Sequence, residues 1–144
     1  KVVIDFNEPW YWILGYGLFA FLATLVREIQ KDLADVEGDR AEGCRTLPIV
    51  LGMRWGKAVA LTYMGLLLVC VLYARMALLH DRLSYWYIGI AVITPLLLSA
   101  GFTYNASTRR EHGIASHLLK AAMVIAILYA FLLRHTIWDP ARLL

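Results

Sequence analysis

The chain has 144 residues, of which 60% are hydrophobic and 17% charged, with a formal net charge of +3. A water-soluble domain is nearer half apolar and a quarter charged, so composition excludes one and points to an all-α, polytopic transmembrane helix bundle. The net charge is small and the basic residues fall in connecting segments, which leaves no nucleic-acid footprint.

Residues 10–26 form the first predicted span, with Pro9 ahead of it. Residues 27–57 then carry twelve charged groups of mixed sign. Carboxylates crowded at a membrane edge are costly unless something neutralises them. A divalent cation shared with a negatively charged substrate would do so. Asp32, Asp35 and Asp39 are spaced i, i+3, i+7. A first helix that continued past Val26 would present all three on one face, and on it Arg27, Lys31, Asp35 and Asp39 would form an i, i+4 ladder. Carboxylates aimed at one point suit Mg²⁺, which prefers oxygen ligands, keeps several waters and bridges to phosphate. Arg27, Lys31 and Arg45 would hold the remaining phosphate charge. Gly38 and Gly43 allow turns, and Thr46-Leu47-Pro48 is expected to stop the helix before the next span.

A solvated linker would also show mixed charge, held by weak i, i+4 pairs, but it gains nothing from three aspartates on one face. A calcium hand fails on spacing. Counted from Asp35, its glycine position falls on Arg40 and its closing glutamate on Thr46.

The second predicted span covers residues 58–79, with Arg75 near its far end. The third covers 85–104, with a kink expected at Pro95. The fourth covers 114–133 and holds Lys120 about two turns in. An ionisable group there either snorkels or serves the site, and contact with a diphosphate is the functional version. Each span is close to the ~20 residues that cross a bilayer. Cys44 and Cys70 show no metal-ligand spacing and are expected to stay unpaired. Four spans place segments 27–57 and 105–120 on one side, which then holds nine Lys and Arg against five opposite. By the positive-inside rule the acidic block faces the cytoplasm.

The run Arg27-Glu-x-x-Lys31-Asp32-x-x-Asp35-x-Glu37-Gly38-Asp39, followed by Gly43, Thr46-Leu47-Pro48 and Gly52, resembles the second aspartate-rich motif of the UbiA superfamily of intramembrane prenyltransferases. Ser116-His-Leu-Leu-Lys120 resembles the opening of the last helix in many members. The resemblance implies that these are the last four helices of a nine-helix fold. It implies Mg²⁺-dependent transfer of a polyprenyl group from a prenyl diphosphate to an acceptor, with diphosphate leaving. Asp35 and Asp39 would be paired Mg²⁺ ligands, and Asp32 a third ligand or a support to them. Arg27, Lys31, Arg45 and Lys120 would contact the substrate. Glu-Gly-Asp with Thr-Leu-Pro is most similar to members that prenylate geranylgeranylglyceryl phosphate, with aromatic and tetrapyrrole acceptors close behind.

The sequence departs from the family in one respect. The first motif, Asn-Asp-x-x-Asp-x-x-x-Asp, is absent, and no aspartate lies between Asp5 and Asp32. Residues 1–144 are therefore expected to be the C-terminal part of one prenyltransferase domain, starting at Lys1 and inactive without its N-terminal half. The alternative is a membrane cation-binding or transport module that uses the acidic block. A transporter should place such groups near mid-membrane, whereas here they cluster at one edge.

Overall fold

The structure is a computed structural model and describes residues 7–77 and 82–137. Among these residues every regular element is helical. Helices α1 (Asn7–Ala34), α2 (Val36–Ala41), α3 (Leu47–Leu51) and α4 (Met53–Ala77) are followed by α5 (Arg82–Trp86), a π-helical segment (Tyr87–Val92), α6 (Ile93–Asn105) and α7 (Arg109–Ile137). Four stretches are long and apolar enough to cross a membrane: Ile13–Ala34, Met53–Met76, Tyr87–Asn105 and Arg109–Tyr129. All four predicted spans are thus present. Residues 78 and 79, at the end of the second, lie outside the described residues, as does Lys1.

The long helices close a four-membered bundle. Helix α1 packs against α4 and α7, and α6 packs against the same two. Lipid supplies no hydrophobic force between helices, so close packing must hold them. The inward faces follow helical periodicity. Leu22, Val26, Ile29 and Leu33 line α1, Ala60, Met64, Leu67 and Val71 line α4, and Ala115, Leu119, Ala122, Ala126 and Tyr129 line α7. The alanines let the backbones approach closely. The outward faces are apolar as well, with Leu14, Phe21, Val69, Leu72, Leu97 and Ile127 exposed. Helices that are hydrophobic all round belong in lipid.

A polar clamp crosses this apolar interior. Gln30 is fully buried, and its Nε2 donates to Ser99 Oγ at 3.0 Å and Thr103 Oγ1 at 2.8 Å. Ser99 Oγ in turn donates to the Ala115 carbonyl at 2.7 Å, and Thr103 Oγ1 to the Ser99 carbonyl at 2.9 Å. This chain of bonds ties α1, α6 and α7 together near one end of the bundle. Each interhelical bond of this kind contributes about 0.6 kcal/mol in a membrane.

Three expectations need correction. The first span does not end near Val26 but runs on to Ala34. In its charged last turns Glu28 bonds both Arg27, at 2.5 Å, and Lys31, at 3.0 Å. Thr46-Leu47-Pro48 does not merely stop a helix; Thr46 is the N-cap of α3 and Pro48 lies in its first turn, where a missing N–H costs nothing. The third span is distorted one turn before Pro95, in the π-helical segment. Pro95 removes the donor that the Ala91 carbonyl would use, and wider i→i+5 bonding takes up the mismatch. Arg75, near the end of α4, lies over the Tyr85 ring with its guanidinium carbon 3.6 Å from the centroid, a cation–π contact.

Gly56 lies where α4 meets α1 and α3. A Cβ there would stand 3.0 Å from Leu33 Cδ2 and 3.3 Å from Pro48 Cβ. Gly65, farther along α4, has open space around it. Gly56→Val is expected to destabilise the bundle by about 1–3 kcal/mol through overpacking. Thermal unfolding in detergent should show a lowered midpoint for this variant and a smaller change for Gly65→Val.

Candidate active site

Helix α1 breaks at Asp35, whose φ of −118° and ψ of 24° are not helical. The break is shallow. Asp35 N donates to the Lys31 carbonyl at 3.0 Å, and Asp39 N to the Asp35 carbonyl at 2.9 Å. The i→i+4 bonding therefore passes through the break, and Lys31, Asp35 and Asp39 keep a helix-like succession. The expectation of one continuous helix carrying all three carboxylates fails: Asp32 belongs to α1, Asp35 caps α2 and Asp39 lies within α2. Asp35, an N-cap residue that favours non-helical dihedrals, makes the break.

Gly38 shapes this corner. Its absent side chain leaves room for the Asp35 carboxylate, because a Cβ would fall 2.7 Å from Asp35 Oδ1. Asp32 is half-buried and feels the negative charges of Asp39 and Glu28 against the positive charge of Lys31. Gly43, at φ 76°, turns the chain after α2, a conformation that favours glycine. Cys44 N closes the turn on the Asp39 carbonyl at 2.8 Å. Cys44 and Cys70 are both free thiols.

Arg27 and Lys31 face α7 across a groove of about 270 Å³, which Ala34, Gly113, Ser116, His117 and Lys120 complete. Three of the four predicted substrate contacts therefore meet in one place. Arg45 does not join them and is exposed between α2 and α3. Glu28 pins two of the cations, and Lys120 leaves the groove positive. Ala34 lines the groove and Asp35 follows it, so cations and carboxylates share one end of the bundle. Among the described residues, no three His, Cys, Asp or Glu side chains converge closely enough to enclose a metal ion.

Sequence reasoning missed Arg109. Its Nη2 lies 3.2 Å from Asp35 Oδ1 and joins the start of α7 to the carboxylate turn. Both side chains are well exposed, so the pair contributes at most about 1 kcal/mol. Its interest is positional, because a cation in a first helical turn opposes the helix dipole. A capping box fixes that turn. Glu111 Oε2 accepts from Ser107 N at 2.7 Å and Thr108 N at 2.9 Å, while Glu111 N donates to Thr108 Oγ1 at 3.4 Å. The pattern Thr108-x-x-Glu111 was the available signal. His112, in the first turns of α7, is 1% exposed. Gln30 was also missed, although a polar residue on the apolar face of a spanning helix needs a partner.

Fold and site together define a multi-pass membrane protein whose bundle carries a cationic groove beside a carboxylate turn. The chain belongs to the UbiA prenyltransferase family, which matches residues 3–119. It is similar to the digeranylgeranylglyceryl phosphate synthase of Methanosphaera stadtmanae, 35% identical over 122 residues, which is 82% of this chain and 42% of that protein. The protein of the same name from Methanothermobacter thermautotrophicus is 35% identical over 114 residues, 78% of this chain and 40% of that one. That from Natronomonas pharaonis is 40% identical over 108 residues, 74% of this chain and 36% of that one. The chain spans about two fifths of the length of the first two of these relatives. No solved structure matches it.

Proposed function

We propose that this chain supplies the second half of the active site of a prenyltransferase that moves a geranylgeranyl group from its diphosphate to geranylgeranylglyceryl phosphate. The observation that carries the reading is the pairing of the Arg27, Lys31 and Lys120 groove with the Asp35–Asp39 turn at one end of the bundle. Cations suit the diphosphate, and carboxylates suit a divalent cation that bridges to it. The relatives' shared name supports the glycerophosphate acceptor.

The residues present fit Mg²⁺ as part of a site. They are oxygen donors, and the room above Gly38 lets the Asp35 carboxylate fold over the turn. Mg²⁺ is commonly held by one or two carboxylates, waters and substrate phosphates rather than a full protein cage. Asp35 and Asp39 would hold it, with Asp32 beside them. When bound, the ion would stabilise negative charge on departing diphosphate. Arg27, Lys31 and Lys120 would bind the same oxygens. The C1–O bond of the donor would break with its electron pair leaving on diphosphate, and an acceptor hydroxyl would close the new C–O bond on the allylic cation and pass its proton to the departing diphosphate. The apolar helix faces shelter the prenyl tail and exclude the water that would quench the cation.

The reading includes a first aspartate-rich motif on an N-terminal part that precedes these helices, with residues 1–144 as the C-terminal part of one domain. It places the motif side in the cytoplasm, on the nine-to-five bias in Lys and Arg. A transport module is the less favoured reading, because the carboxylates gather at a bundle end and not at mid-span.

Gly38→Ala tests the corner directly. The added methyl is expected to push the Asp35 carboxylate aside at little cost to folding, since the contact is the tip of a flexible side chain. Prenyl transfer by the full-length protein should fall about tenfold or more, as small misplacements of catalytic groups do. Wild-type activity in this variant would show that the position of Asp35 does not matter.

A further inference from the structure

A second groove, of about 510 Å³, opens between α4 and α6, away from the α1–α7 groove. Met53, Arg54, Lys57, Ala58, Leu61 and Tyr104 line it, with no carboxylate among them. It lies where the second span begins at Met53 and the third ends at Asn105, and so at a membrane edge. Lys57 Nζ donates to the Tyr104 and Ala106 carbonyls, which fixes its charge at the end of α6. Arg54 is exposed and has no ion-pair partner among the described residues. Met53 and Trp55, its neighbours in sequence, are exposed, and an exposed Trp at a span end suits the depth of the lipid headgroups.

We propose that this groove binds the headgroup of an anionic membrane lipid. Arg54 would take the phosphodiester, Lys57 would add its charge from behind, and the acyl chains would run over Ala58 and Leu61. Basic pockets between spanning helices, close to the headgroups, recognise anionic lipids in this way. Charge complementarity favours an anionic headgroup, because Arg54 opens onto the groove with Lys57 behind it and no acid lines it. The apolar floor favours a lipid over a free anion. The α1–α7 groove differs in its charge balance, since Glu28 and the aspartate turn adjoin it. The proposal is independent of the prenyl-transfer reading.

Native mass spectrometry of the full-length protein in neutral detergent tests it, with phosphatidylglycerol and phosphatidylcholine titrated separately. The expected result is retention of phosphatidylglycerol over phosphatidylcholine by about fivefold. Arg54→Glu should abolish that preference and Arg54→Gln should weaken it. Arg110→Gln, an exposed arginine that lines neither groove, should leave it unchanged. A thermal unfolding curve for each variant checks that the fold survives. Equal retention of the two lipids would overturn the proposal, as would an equal loss in Arg110→Gln. Displacement of the lipid by millimolar inorganic phosphate would reassign the groove to free anions and overturn it too.

Discussion

Asp39→Asn and Asp35→Asn in the full-length protein are each expected to lower prenyl transfer by ~10²-fold or more, with the fold intact. Neither carboxylate is buried, so replacing one strands no charge in the interior. Surface changes of this kind usually stay within about 0.5 kcal/mol. The loss should therefore be chemical. Each amide keeps its side chain's shape but gives up the negative charge that would hold a divalent cation against the diphosphate. Asp35→Asn also releases Arg109, its partner at 3.2 Å, and Arg109→Ala serves as the control for that contact. Transfer assays with thermal unfolding curves separate the cases. Activity within twofold of wild type in both Asn variants would remove the aspartate turn from the mechanism.

Lys120→Ala is expected to raise KM for the prenyl diphosphate about tenfold or more, with a smaller effect on kcat. A hydrogen bond to a charged group contributes about 1.5–3 kcal/mol, and this one should form in the ground state as well as the transition state. A loss of uniform binding appears in KM. Lys120 is exposed on α7 and lines the groove opposite Arg27 and Lys31, so its removal should cost the fold little. Lys120→Arg should recover part of the affinity, because the cation is kept while its geometry changes. An unchanged KM in Lys120→Ala would assign the lysine to snorkelling at the lipid interface.

How much of this was legible follows from the solvent each segment meets. In lipid the backbone must satisfy itself, so long apolar runs can only be helices, and all four spans could be read from composition. Their ends could not. Helix α1 carries eight further residues past Val26, and because it holds charged residues there, among them the Glu28 pairs with Arg27 and Lys31, the onset of charge does not mark its end. The break at Asp35 carries no proline or glycine at the break itself. The sign was an N-capping residue followed three positions later by Gly38. The π-helical segment before Pro95 reflects where the mismatch is absorbed, and that depends on neighbouring helices.

The site divides in the same way. Arg27 and Lys31 are four apart on one helix, so their shared face is local geometry. Lys120 reaches the groove only because α1 packs on α7, a contact between residues some ninety positions apart that no local pattern encodes. The Gln30 clamp to Ser99 and Thr103 is equally remote in sequence. It was hinted at only by a polar residue on an apolar face. Arg45 fits the charge pattern of the block, yet α2 and the turn at Gly43 carry it away from the groove.

One assay tests directly that these helices form part of an intramembrane prenyltransferase. Full-length protein in membranes would be given labelled geranylgeranyl diphosphate and geranylgeranylglyceryl phosphate, with Mg²⁺ or with a chelator. A doubly geranylgeranylated glycerophosphate and released diphosphate are expected with Mg²⁺, and neither with the chelator. Folded protein that yields neither product nor diphosphate from this or any other prenyl donor would contradict this expectation.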